Sequence, residues 1–253
     1  MLLDYRKANK ERRLNIIVKA GFSTEKEYLD YLMKPEDVLS SEPEGNPVIH
    51  NVHIIDISGS MSGGKIAAAI QGINGEIEAL KTDPNADYIQ TIVEFSSKDN
   101  IRTVVDCVPL KNITTKYFAH ANGGTALNQT VGETLVRMRG IRKPNEKVLV
   151  KIFTDGGEND SVGPYKDYRV LSDLIKECEQ EGFTITFVGT ERDVQHVVHM
   201  MNIDASNTLS HDNTARGMGE TFTASLMATR SYSQAVKAKK AVTKGFYKKL
   251  KDN

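Results

Sequence analysis

No apolar run in this sequence approaches the roughly 18 residues needed to cross a bilayer, and the N-terminus, MLLDYRKANKERR, puts charges where a secretory signal needs its apolar segment. Neither a membrane span nor a leader peptide is expected, and the chain reads as cytoplasmic with no membrane partner. Cysteine is scarce as well. The two present, Cys107 and Cys178, fall in strand-like and helix-like contexts of a 253-residue chain. A chain of that size buries enough core to need no disulfide, so both read as thiols. A net charge is also missing, because 33 basic residues balance 33 acidic ones, and no global field draws the chain to nucleic acid. There is no internal repeat and no low-complexity tract. What is left, 39% hydrophobic and 26% charged residues, is the composition expected of an ordinary soluble globular protein.

Composition divides the chain into a basic start, an acidic Pro/Gly linker, a long alternating region and a lysine-rich end. Over residues 1–35, Leu14, Ile17 and Val18 share one helical face, and Thr24 with Glu27 forms a capping box before Tyr28, Leu29 and Leu32. A helical extension is expected there. Residues 36–47, within PEDVLSSEPEGNP, read as the linker, and residues 48–236 as the main domain. Residues 237–253 carry Lys237, Lys239, Lys240, Lys244, Lys248, Lys249 and Lys251 against Asp252. This end reads as a solvated, frayed basic tail, with contact to phosphates or acidic surfaces as the alternative.

Between linker and tail, apolar segments alternate with amphipathic ones. VIHNVHIID, YIQTIVEFS, IRTVVDCVPL, KVLVKIFTD and FTITFVG read as strands. KIAAAIQGINGEIEALK, TALNQTVGETLVRMRG, YRVLSDLIKECEQEG, RDVQHVVHMM and about 214–238 read as helices. The second and third strands are too close for a crossover helix and are expected to pair antiparallel. Strands apolar throughout, separated by helices, predict a doubly wound α/β fold. Its central sheet is mostly parallel, with one antiparallel edge strand and helices on both faces. Ligands of such sheets bind beyond the carboxyl ends of the strands.

The most informative stretch is HIIDISGSMSGGKI. From Gly59 to Lys65 it has the G-x-x-x-x-G-K spacing of a phosphate-binding loop, but Ile66 stands where that motif needs the Mg²⁺-binding Ser or Thr. The same residues place Asp56, Ser58 and Ser60 at alternate positions directly after an apolar strand. GGTALNQ adds Thr125 after a flexible Gly123–Gly124 pair, and IFTDGGEND adds Asp155 at the end of another core strand. These five oxygen donors can meet at one sheet edge.

In that order and spacing the residues resemble the von Willebrand factor A-type (VWA) domains, over roughly residues 48–236. Their metal-ion-dependent adhesion site, or MIDAS, joins a D-x-S-x-S loop to a distant Thr and a distant Asp. The GSMSGGK wording is similar to that of intracellular bacterial and phage members. The resemblance implies that Ser58, Ser60 and Thr125 bind the metal directly, while Asp56 and Asp155 act largely through water or hydrogen bonds. Oxygen-only donors suit Mg²⁺ or Mn²⁺. A metal held mainly by neutral hydroxyls stays electrophilic, so a protein partner is expected to complete its shell with an Asp or Glu carboxylate. The loops Met61–Gly64, Ala121–Gly124 and Gly156–Asp160 are expected to ring the site and select that partner.

A non-catalytic, metal-dependent protein-binding module is therefore expected. One alternative is a phosphate-loop nucleotide-binding or phosphotransfer enzyme. The other is a nucleic-acid accessory protein acting through the tail, beside which no aromatic stacking platform is recognisable. Lys65 is expected in the first turn of its helix, its ammonium in solvent or on a nearby carboxylate. Glu158 and Asp160 read as solvated loop acids outside the site. His196 and His199 read as surface residues beside a buried stripe of Val194, Val197, Val198 and Met201, and no Ser–His–Asp set can be assembled.

Overall fold

The computed structural model describes residues 45–240 and 242–248. The expected N-terminal helices and most of the expected linker lie outside them. Six strands form one sheet: β1 (Val48–Asp56), β2 (Asp87–Phe95), β3 (Ile101–Pro109), β4 (Lys147–Phe153), β5 (Phe183–Thr190) and β6 (Thr208–His211). Their order is β3-β2-β1-β4-β5-β6. Of the neighbouring pairs only β2 and β3 run antiparallel, as their short connection requires. The helices are α1 (Gly64–Leu80), α2 (Leu127–Ile141), α3 (Tyr168–Gln180), α4 (Glu191–Met200) and α5 (Ala215–Lys237). The four-residue strand β6 had no counterpart in the sequence reading.

Stiff, β-branched and aromatic residues such as those of FTITFVGT favour the extended chain. Alternation along each strand then sends side chains to two covered faces. On β1, Val52 and Ile54 join one apolar cluster with Val131 and Leu135 of α2, Leu171 and Ile175 of α3, and Val197 of α4. Ile49 and Ile55 join the other, with Ile66, Ala69, Ile73 and Ile77 of α1 and Met218, Phe222 and Tyr232 of α5. The α1 residues recur at the three- and four-residue spacing that keeps them on one helical face. A side chain at Gly72 would meet Phe222 at 2.2 Å. The missing Cβ lets Phe222 reach past α1 and stack on Phe153 of β4, with ring centroids 4.1 Å apart.

The strands are not apolar throughout. Asn51 and His53 of β1, Gln90 of β2 and Lys151 of β4 point to the α1–α5 face and are fully buried, with Glu76 of α1 beside them. Asn51 Nδ2 donates to Glu76 Oε1 at 3.0 Å and to Gln90 Oε1 at 2.9 Å, and Gln90 Nε2 donates to His53 Nδ1 at 2.9 Å. The Lys151 ammonium pairs with Glu76. Burial pushes the Glu76 carboxyl up, but Lys151 and His53 outweigh it and hold the group ionised. Burial, with Lys151 adding to it, lowers the His53 pKa and keeps that ring neutral.

The C-terminal segment also differs from expectation. Residues 242–248 turn back onto the domain, where Tyr247 is fully buried. Tyr247 N donates to Ser206 O at 2.9 Å, Phe246 N to Asn207 Oδ1 at 3.0 Å, and Asn207 Nδ2 to Thr243 O at 2.7 Å. Apolar side chains between the lysines thus hold this stretch against the core, while Lys244 and Lys248 face solvent. Among the described residues no helix is long and apolar enough to cross a membrane.

Candidate metal centre

Parallel pairing of β1 with β4 brings their carboxyl ends side by side, with Ile55 opposite Phe153. Asp56 therefore lies beside the residue that follows β4, and Thr154 Oγ1 donates to Asp56 Oδ2 at 2.5 Å. Asp56 Oδ1 accepts from Ser58 N at 2.6 Å. The carboxylate has no exposure. Burial pushes its pKa up to about 6, against the Thr154 and Ser58 hydrogen bonds, which lower it.

Beyond Asp56 the hydroxyls form a chain. Ser60 donates to Asp155 Oδ1 at 2.6 Å. Its single proton is thereby used, so Ser58 donates to Ser60 across their 2.9 Å separation. A Cβ built on Gly156 would stand 3.6 Å from Ser60 Oγ and 3.9 Å from Thr125 Oγ1, so both hydroxyls lie beside Gly156. All five expected side chains lie together at the sheet edge. Asp56, Ser58, Ser60 and Asp155 are linked by hydrogen bonds, and the Thr125 hydroxyl lies with that of Ser60 beside Gly156.

Backbone bonds tie the loop after β1 to the loop before α2. Gly59 N donates to Gly123 O at 3.0 Å and Asn122 N to Ile57 O at 2.7 Å. Gly123 has φ +78, and a side chain there would meet Ser97 Oγ at 2.7 Å. The glycine pair expected to be flexible is thus a close-approach position. Met61, expected at the rim, is fully buried.

Glu158 and Asp160 are not simply solvated. Glu158 Oε2 accepts from Asn128 N at 2.8 Å and from Ser161 Oγ at 2.6 Å, while Ser161 Oγ accepts from Gln129 N at 3.0 Å. Glu158 thus satisfies the free N–H of Asn128, and Ser161 that of Gln129, at the start of α2, the helix that follows Thr125. Asn159 Oδ1 accepts from Thr125 N at 3.0 Å, and Asp160 Oδ2 from Lys98 N at 2.9 Å. The END sequence is therefore the clamp that positions Thr125. Its only sequence signal was a run of short polar side chains that readily bond backbone.

Lys65 is the second residue of α1, and its ammonium pairs with Asp155 Oδ2 and donates to Asn213 Oδ1 at 3.0 Å. It rests on a nearby carboxylate, one of its two expected positions. Asn213 follows the unforeseen β6. His196 and His199 are exposed on α4, and Val197 and Met201 are buried, as expected.

A sequence profile of the von Willebrand factor type A domain matches residues 52–223. The chain belongs to the VWA family. Its fold is that of the VWA domain, and solved structures are similar at low identity. Proximal thread matrix protein 1 from the mussel byssus is 16% identical with a TM-score of 0.54, over 73% of this chain and 49% of that one. The pilus adhesin SpaC from Lactobacillus rhamnosus GG, in an open conformation, is 14% identical with a TM-score of 0.58, over 75% and 30%. This chain therefore spans half or less of those proteins. A further structure of the mussel protein has a zinc-occupied MIDAS motif and is 14% identical with a TM-score of 0.54, over 73% and 49%. Comparison with curated proteins returned no match.

The residues of this VWA domain fit a small cation on their own geometry. The Ser60 and Thr125 hydroxyls lie beside Gly156, Ser58 and Asp155 are bonded to Ser60, Asp56 is bonded to the Ser58 backbone, and a positive charge already rests on Asp155.

Proposed function

We propose that this VWA domain is a non-catalytic protein-binding module that works through Mg²⁺ or Mn²⁺. Ser58, Ser60 and Thr125 would hold the ion by their hydroxyls, with Asp56 and Asp155 acting through water or hydrogen bonds. The observation that carries this reading is the hydrogen-bonded Ser58–Ser60–Asp155 chain at the sheet edge, with the Thr125 and Ser60 hydroxyls both beside Gly156. Oxygen donors with few charges match the hard divalent ions. The ion would keep positive charge and accept a partner's Asp or Glu carboxylate. The two free thiols, Cys107 and Cys178, are in keeping with a reducing compartment, and we place the domain in the cytoplasm.

The nucleotide-binding alternative is disfavoured. Lys65 is engaged by Asp155, and Ile66, where a Mg²⁺-binding hydroxyl would stand, belongs to the apolar core. The tail-driven nucleic-acid reading is weakened because Phe246 and Tyr247, the aromatics nearest the lysines, are buried.

Thermal melting with Mg²⁺, with Mn²⁺ and with chelator tests the reading, since an ion that binds only the native state must raise apparent stability. The wild type should melt higher with metal and Thr125→Ala should not respond. An equal metal response in both proteins would defeat the assignment.

A further inference from the structure

Lys65 has no part in the five-residue donor set, yet its ammonium reaches into it. The side chain is 18% exposed and that of Asp155 is 0% exposed, so the charge is drawn inward from the exposed turn before α1. Asp155 accepts from Ser60 on one oxygen and from Lys65 on the other, and Ser60 in turn accepts from Ser58. The hydroxyl chain thus already ends on an internal cation. A divalent ion served by the same carboxylate would lie within a few ångströms of that ammonium, and like charges so close, screened little by water, repel strongly. The two cations exclude one another.

We propose that Lys65 is a tethered counter-cation of the metal-free domain: its ammonium neutralises Asp155 until a divalent ion displaces it, so that loading exchanges one cation for the other. This rests on the reading of the site as a divalent-cation centre. The long, flexible lysine stem permits the exchange without movement of the sheet. Metal affinity is then set partly by how often the ammonium leaves. If the site is open about one-tenth of the time, the apparent dissociation constant is raised about tenfold.

The test is a calorimetric Mg²⁺ titration of the full chain and of Lys65→Met, with amine labelling of the unmodified chain read by mass spectrometry. Lys65→Met should bind Mg²⁺ about tenfold more tightly, although its metal-free form melts lower for want of a partner to Asp155. In the wild type, Lys65 should label several-fold faster at saturating Mg²⁺ than in chelator. Equal or weaker binding by Lys65→Met, or a labelling rate unchanged at saturation, overturns the proposal while the metal site stands. Binding by Lys65→Met alone supports it. If neither protein binds Mg²⁺ or Mn²⁺, the metal reading itself falls and the proposal falls with it.

Discussion

Thr154 donates its hydroxyl to Asp56 Oδ2 at 2.5 Å, so the residue after β4 holds the carboxylate at the end of β1. That bond opposes the burial that pushes the Asp56 pKa up to about 6. In Thr154→Val the ionised form loses an acceptor bond and the pKa rises further. Metal-dependent stabilisation should then fade at a higher pH than in the wild type. Melting with and without Mg²⁺ between about pH 5 and 8 brackets the Asp56 value and checks this, and identical midpoints would contradict it.

Asp56→Asn separates the carboxylate's stability effect from its metal effect. A carboxyl whose folded pKa lies above its unfolded value binds a proton more readily when folded. Its stability contribution is therefore present below the unfolded value near 3.8 and is lost as pH rises through about 6. A rise of about 2 units corresponds to an upper limit of about 3 kcal/mol. Asparagine can still accept from Ser58 N and donate to Thr154. The metal-free variant should be more stable than the wild type at about pH 8, little changed at about pH 4, and unresponsive to Mg²⁺ in urea melts. A variant less stable than the wild type at the higher pH would contradict the sign.

The buried pair of Lys151 and Glu76 should behave asymmetrically. Lys151→Met strands an ionised carboxylate in the core and should cost about 3–5 kcal/mol, as for other broken buried pairs. Lys151→Met combined with Glu76→Gln should recover much of that loss. Urea denaturation of the two variants decides it, and equal losses would show that the charge on Glu76 is not what matters.

Much of this was legible in the sequence because the chemistry sits where local pattern and topology coincide. Asp56 ends β1 and Asp155 lies two residues past β4, both strands marked by their apolar runs, so their meeting at one edge followed from a parallel sheet. The buried layer was not legible. In a sheet covered on both faces a polar residue such as Asn51 or His53 breaks no alternation, and nothing local indicates that Glu76 and Lys151 meet. β6 is too short to show a period, which hid Asn213. In the tail, the lysines masked Phe246 and Tyr247, the pair whose burial sets residues 242–248 against the core.

Tyr247→Ala tests that packing. Removing a fully buried aromatic side chain should cost about 3–5 kcal/mol, while leaving the Mg²⁺-induced rise in melting temperature in place. A loss within the error of the melt would mean that residues 242–248 hold the domain only weakly.

On the reading of this edge as a metal centre, a divalent ion sits among the hydroxyls of Ser58, Ser60 and Thr125. An anomalous-difference map from crystals soaked in Mn²⁺ would locate that ion. A peak ringed by those three hydroxyls is expected, with the Lys65 ammonium withdrawn from Asp155. A peak elsewhere on the domain, or none at saturating Mn²⁺, would contradict it.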